Sequence, residues 1–178
     1  DARNPKTDIG PVVSEAQLKK NLEYLRIGSN DGAKHLMGGD QVEQTTPGWY
    51  LSPALFINAK NEMKICREEI FGPIAAVISV SDYDEALSVA NDSEFGLSAG
   101  IVSNDRLIID HFIANIQAGM VQINLPTAGM DFHAPITGQK NSSFGPPEKS
   151  SYCREFFTNT KVIHANYGKR LNSKREGS

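Results

Sequence analysis

Cysteine is scarce in this 178-residue chain: Cys66 and Cys153 stand alone, too few to read as a disulfide framework. No apolar run approaches the roughly 20 residues that a membrane-spanning helix needs. The opening DARNPKTDIGPVV has neither the cationic start nor the apolar stretch of a secretory signal. An excess of one charge is missing too. Lys and Arg number 18 against 21 Asp and Glu, and the net −3 gives a polyanion nothing to hold. No G-x-G-x-x-G follows a strand and no P-loop occurs, so the usual nucleotide-binding fingerprints are absent. His35, His111, His133 and His164 share no metal-ligand spacing with one another or with the cysteines, so no metal site is expected. These absences point to a reduced, cytoplasmic protein that binds neither nucleic acid nor membrane.

What is present suits an α/β domain, and 39% hydrophobic residues over this length can bury a core. Residues 1–13 read as a loop entered in mid-course, which hints at polypeptide upstream. Ser14 fits a helix N-cap, with Gln17 as the partner of a capping box and Val13 with Leu18 as a hydrophobic staple. Leu18, Leu22 and Leu25 form one apolar stripe, which Gly28 is expected to end. Extended segments are predicted at 34–37 and 50–57. Residues 74–80 (IAAVISV) are apolar enough for a strand covered on both faces. Ser81 or Asp82 then caps a helix running to about Asn91, with Ala86, Leu87, Val89 and Ala90 inward. A strand follows at 98–102. Asn104 caps a second helix, in which Ile109, Phe112, Ile113 and Ile116 recur at helical spacing. Another strand is predicted at 120–125. Strand, helix, strand, helix, strand with short joints is the order of a largely parallel, twisted sheet with flanking helices. Residues 126–150 are irregular and rich in Pro, Gly and Ser, as functional loops often are. Residues 156–165 (FFTNTKVIHA) read as a late strand. The tail from 167, with Lys169, Arg170, Lys174 and Arg175 and no interleaved aromatics, reads as solvated and disordered.

The most informative stretch is Arg67-Glu68-Glu69-Ile70-Phe71-Gly72-Pro73. Two carboxylates beside an aromatic, closed by Gly-Pro, form a stiff turn. One reading displays charge and ring together: a carboxylate can accept from two vicinal hydroxyls, and a ring can pack on a flat heterocycle. The plainer reading is a solvated acidic turn with Phe71 tucked into the core. Both stand on the residues alone.

REEIFGP, the apolar strand after it and DYDEALSVANDSEFGLSAGIVSND closely resemble the C-terminal region of aldehyde dehydrogenases. IGPVVS, GWYLSPALF and AGMVQIN fall in the same order and spacing, so the resemblance runs from about Asp8 to about His164. It implies that Glu69 binds the nicotinamide ribose hydroxyls and that Phe71 packs beside the nicotinamide ring of NAD or NADP. Such contacts position the hydride acceptor. It also implies that Asn124, Leu125, Pro126, Thr127, Phe132 and Ile136 wall the substrate entrance. Without a ligand these would make an ordinary surface loop. INLPTAGMDFHAP and GQKNSSFGPPEKSSYCREFFT are similar to the α-ketoglutaric semialdehyde branch, which implies an oxo-acid semialdehyde substrate. Ile136-Thr137-Gly138 departs from the wider family's Phe-Gly-Gly, and that changes the pocket's shape.

The family's reaction needs a thiolate that attacks the aldehyde, hydride loss to nicotinamide, and a glutamate-activated water that hydrolyses the thioester. The resemblance places that cysteine and that glutamate upstream of the IGPVVS-type segment. Cys66 lies beside Glu68 and Glu69, which oppose a thiolate, and Cys153 lies past the loop. Both are therefore read as structural. On this reading residues 1–150 form a partial catalytic domain, 151–166 carry a strand for homo-oligomer assembly, and 167–178 form the tail. The chain alone would be inactive. The rival reading is a non-catalytic module that keeps the fold for binding or assembly.

Overall fold

The computed structural model describes residues 3–129, 131–166 and 168. Helix α1 (Glu15–Asn30) opens as predicted on Ser14, whose hydroxyl accepts from the Gln17 N–H at 3.2 Å. The rest of its start differs. Val13 is 85% exposed and makes no staple. Val12 instead bridges to Trp49 and packs on the core, which fixes the entry of the chain by a ladder contact. The Gln17 side chain does not turn back to Ser14 but reaches a distant turn, described below. Leu18, Leu22 and Leu25 do form the inward stripe. Gly28 does not end the helix, which continues to Asn30 with Asp31 as its C-cap. Gly28 is instead a point of close approach, where an added Cβ would lie 3.1 Å from Ile65 and Phe56.

The first sheet has the order β1-β4-β5, with β1 (Lys34–Met37) antiparallel to β4 (Ala54–Ile57) and β5 (Ile74–Ala76) parallel to it. A short hairpin pairs β2 (Gln41–Val42) with β3 (Tyr50–Leu51). The extended run predicted at 50–57 is thus two strands. Pro53, which has no N–H to give a ladder, lies at the break. Helix α2 (Lys64–Arg67) lies between β4 and β5. Phe56 is fully buried at the centre of the first core, among Leu18, Leu25, Met63 and Ile65.

Helix α3 (Tyr83–Asn91) is capped by Asp82, which accepts from the Glu85 N–H at 2.9 Å. Strand β6 (Phe95–Gly96) pairs antiparallel with β9 (Gln139–Lys140). The pair β7 (Ser98–Ile101) and β8 (Met120–Ile123) is parallel, joined through α4 (Arg106–Asn115). The cap of α4 is Asp105, not Asn104: its carboxylate accepts from Leu107 and Ile108 and places a negative charge at the positive helix end. Phe112 and Ile116 pack with Ala118 against Ala99, Ile101, Val121 and Ile123 to form a second core, which Tyr83 and Leu87 flank. Of the residues predicted inward, Ile113 is 51% exposed and no residue of α3 is buried.

The α/β class with parallel strand pairs is borne out, but the three apolar strands do not share one sheet. β5 joins β4, while β7 and β8 pair apart from it. Residues 74–80 are covered on one face only: Ile74 and Ile78 pack on the first core, while Ala75 and Val77 are exposed. The late strand is not formed. Phe156 and Phe157 end helix α5 (Cys153–Phe157), and residues 158–165 join no ladder among the described residues. An alternating pattern needs a partner backbone to become a strand, and here Val162 and Ile163 are exposed. The tail from 167, Gly168 apart, lies outside the described residues. No described helix is long and apolar enough to cross a membrane.

Candidate functional site

Helix α2 ends because Glu68 leaves it in an extended conformation, and six residues later the chain enters β5. Between them Phe71 takes a left-handed backbone, φ +60°, which is uncommon for a bulky residue. Gly72 follows against α1, where a Cβ would meet the Asn21 amide nitrogen at 2.1 Å, so no side chain fits there. The far end of the turn is tied to the sheet by Ala54 N–H donating to Pro73 O at 2.8 Å. The Phe71 ring is 71% exposed. It is displayed rather than tucked into the core, which removes the Phe71 half of the plainer reading, while the carboxylates of the turn do face solvent.

The two adjacent carboxylates have different surroundings. Glu68 accepts from the Tyr24 hydroxyl in a short hydrogen bond and lies 3.7 Å from Lys64 Nζ. That hydrogen bond, with burial and the nearby charges of Glu68 and Glu23, pushes the Tyr24 phenol up to about 12. The Glu69 carboxylate is exposed and has no hydrogen-bond or ion-pair partner among the described residues. Only its backbone is engaged, with Lys20 Nζ donating to Glu69 O at 2.9 Å. Glu69 borders a hollow of about 510 Å³ that runs between the two cores, past Cys66, Gly96, Ala99 and Ser142. One wall is fixed by Arg67, whose Nη2 lies 2.6 Å from the Asp92 carboxylate, and by Asn61 donating to the same oxygen at 2.7 Å. Arg67 holds the Asp92 carboxyl below its usual range.

The loop after β8 forms a separate place. Asn124 has φ +55°, and both ends of its amide are engaged. Its Oδ1 accepts from Ser103 N–H and its Nδ2 donates to Ser103 O, each at 2.9 Å. Leu125 and Pro126 line a hollow of about 370 Å³ with Val121, Gln122, Ala128 and Asp131. Thr127 O accepts from the Ser98 hydroxyl at 3.3 Å. Phe132 is 71% exposed, with its ring against His133. Ile136 lies outside that hollow, paired with Glu148 through backbone hydrogen bonds of 2.9 and 3.1 Å. No described hydrogen bond, ring contact or shared hollow joins Glu69 and Phe71 to the loop.

An aldehyde dehydrogenase family profile matches residues 1–163. The chain belongs to the aldehyde dehydrogenase family. It is 41% identical over 157 residues to an alpha-ketoglutaric semialdehyde dehydrogenase of Bacillus subtilis, covering 87% of this chain and 32% of the relative. It is 39% identical over 168 residues to an alpha-ketoglutarate semialdehyde dehydrogenase of Haloferax volcanii, covering 92% and 35%. A solved NAD-dependent aldehyde dehydrogenase of Sinorhizobium meliloti superposes with a TM-score of 0.84 at 34% identity, covering 93% of this chain and 32% of that one. An indole-3-acetaldehyde dehydrogenase of P. syringae, solved with NAD+, gives 0.76 at 34% identity over 82% and 29%. The chain thus spans about a third of the length of the relatives it matches.

Cys66 does not have the surroundings of an activated nucleophile. Cys66 is half-buried and free, and burial pushes its thiol up, with Arg67 opposing and Glu62 adding to the shift. The adverse charge beside it is therefore Glu62 rather than Glu68 or Glu69. A raised thiol is mostly protonated at neutral pH and attacks poorly. Cys153 is free and half-buried at the start of α5. Sequence reasoning missed the α1 residues that carry the turn: Gln17, Lys20, Asn21 and Tyr24, spaced to share one helix face. The available signal was Asn21, a polar residue set between Leu18 and Leu25 on the side that packs.

Proposed function

We propose that this chain supplies the nicotinamide-ribose contact and the substrate-entrance wall of an NAD(P)-dependent aldehyde dehydrogenase. The substrate class is an oxo-acid semialdehyde such as 2-oxoglutarate semialdehyde, in keeping with the names of the Bacillus subtilis and Haloferax volcanii relatives. One observation carries the cofactor half of this reading. Of two adjacent carboxylates, Glu68 is engaged by Tyr24 while Glu69 is exposed and unpartnered beside an exposed Phe71 ring. A free carboxylate and a free ring fit a ribose diol next to a flat heterocycle. The nicotinamide, when bound, accepts the hydride that the substrate loses. Glu69 accepts hydrogen bonds from the ribose hydroxyls, and Phe71 packs against the ring to fix its distance from the reacting carbon. Leu125, Pro126 and Thr127, with Phe132 and Ile136 further along the loop, shape the entrance. Asn124 holds the start of that loop through Ser103. The nucleophilic cysteine and the general base belong to polypeptide beyond these 178 residues, and the full enzyme is a cytoplasmic homo-oligomer whose assembly uses residues 158–165.

Two measurements test this. In the complete enzyme, Glu69→Gln lowers the single-turnover rate of cofactor reduction at least about tenfold, since each charge-assisted hydrogen bond is worth about 1.5–3 kcal/mol. Glu68→Gln leaves that rate within about twofold, because that carboxylate is turned to Tyr24. A Glu69→Gln rate equal to wild type rejects the ribose role. The isolated chain, mixed with aldehyde and either nicotinamide cofactor, gives no absorbance change from reduced nicotinamide. Turnover that disappears in Cys66→Ala would make Cys66 the nucleophile and overturn the proposal.

A further inference from the structure

We propose that Gln17 is a positioning residue for the Glu69–Phe71 pair, acting through the backbone of the turn. This inference rests on the cofactor reading above. The Gln17 amide nitrogen donates to Ile70 O at 2.9 Å and to Phe71 O at 3.1 Å. One side chain therefore grips two successive carbonyls across more than fifty residues of sequence.

Those two carbonyls flank the left-handed Phe71. Two successive carbonyls aimed at a single donor fix the two peptide planes on either side of the Phe71 Cα, and so its φ and ψ. Together those planes set the direction in which the ring leaves the backbone. Asn21 stands behind Gln17 and is fully buried. Its amide oxygen lies 2.8 Å from the same Gln17 nitrogen, whose two hydrogens are then shared among three acceptors; with the amide turned the other way its nitrogen would reach Gln17 O and Ile70 O at 3.3 Å and lie 2.8 Å from the Gln17 amide nitrogen. Only the turned orientation takes Asn21 itself to the turn, at Ile70 O. The Asn21 amide also fills the space that any side chain at Gly72 would need.

The flanks are held independently. Lys20 binds Glu69 O on one side, and Tyr24 binds the Glu68 carboxylate one turn further along α1. Every polar contact of α1 with residues 68–71 thus reaches the backbone or the engaged Glu68, leaving the Glu69 carboxylate and the Phe71 ring untouched. An uncommon backbone conformation persists only where its surroundings over-determine it, and in this turn the surroundings are α1. Removing the donor at position 17 should let Phe71 relax to an extended φ and swing its ring away from Glu69.

The test uses the full chain in solution NMR, with φ-sensitive backbone couplings at Phe71, the order of residues 69–72, and shifts induced by nicotinamide mononucleotide. Gln17→Met keeps the length and removes the donor. It should lose the left-handed coupling signature at Phe71 and weaken mononucleotide binding about two- to tenfold, with resonances of β7 and β8 unmoved. Gln17→Glu should lose more at neutral pH, because a carboxylate then faces two carbonyls. It should recover the coupling signature on acidification, when a protonated carboxyl can donate again. Asn21→Ala, which opens the core, serves only as a second perturbation should Gln17→Met fail to fold. It too should release Phe71. Unchanged couplings at Phe71 in the folded Gln17→Met and Gln17→Glu variants overturn the positioning role. Normal couplings with no mononucleotide shift at Glu69 or Phe71 in wild type overturn the cofactor reading instead, so the two failures are told apart.

Discussion

The two cores of this chain close to different degrees, and each carries one part of the site. The first is sealed by α1, α2 and β4 around Phe56, which has no exposed surface. In the second, the buried cluster among the described residues is Phe112, Ile116 and Ala118, and apart from Met120 the inward residues of β7 and β8 are half-buried. The Glu69–Phe71 turn hangs on the first core through four residues of α1. The loop that starts at Asn124 hangs on the second through the Asn124 amide at Ser103 and through Ser98 of β7 donating to Thr127 O. On the proposed reading, the contact that must place a hydride acceptor precisely sits on the closed body, whereas the substrate wall sits on the open one.

The sharpest way to break that comparison is to empty each core in turn. Phe56→Ala should cost about 4–5 kcal/mol, the upper part of the range for a buried phenylalanine, because neighbours packed on all sides cannot collapse into the hole. Phe112→Ala should fall at or below about 3 kcal/mol, since an open core relaxes. Urea unfolding followed by circular dichroism compares them, and equal costs would show the second core to be as closed as the first. Gly119→Ala comes next. Its Cβ would lie 2.2 Å from Thr137 O, so β8 or the loop must shift. A cost of about 1–3 kcal/mol is expected, as in overpacking. Hydrogen exchange should rise in β8 and leave β4 alone; a rise in β4 of equal size would mean the two bodies unfold as one.

Much of the architecture was legible because local signals carry it. The Ser14 cap, the Leu18–Leu22–Leu25 stripe and the parallel β7–α4–β8 unit follow from side-chain chemistry and period. The errors fall where a partner outside the local window decides. Val13 looked like a staple, but Trp49 claimed Val12 and left Val13 in solvent. Residues 156–165 carried strand periodicity, yet the first two finish a helix and the others meet no free ladder. In the site, the motif showed which residues carry charge and ring. It could not show that Glu68 is held by Tyr24 and Glu69 is free, because that depends on which helix face lies 44 residues away in sequence. Residue type marked the chemistry, and tertiary contact chose between two identical neighbours.

The smallest expected effect sharpens the comparison from the first core alone. Tyr24 is buried on α1, and its phenol is raised from 10.0 to about 12, chiefly because its hydroxyl donates to Glu68. A group whose folded value lies above its unfolded value contributes stability in full below the unfolded value. That contribution fades as pH rises through the folded one. The link to Glu68 should therefore be intact at neutral pH, weaken from about pH 10 and be gone above about pH 12. Tyr24→Phe removes the hydroxyl and should lower stability by about 0.5–1.5 kcal/mol at neutral pH, the usual net worth of one hydrogen bond. Urea midpoints of wild type and Tyr24→Phe should then approach one another as pH rises across that window. Tyr83, on the second core, is also raised, by burial and then by Asp84, but its hydroxyl pairs with His111 rather than with a carboxylate. Both proteins keep Tyr83, so its titration cancels in the difference between them. A gap between the two midpoints that stays constant from neutral pH to above 12 would show that Glu68 does not draw on the Tyr24 hydroxyl, and the anchoring of the turn would then rest on Gln17 and Lys20.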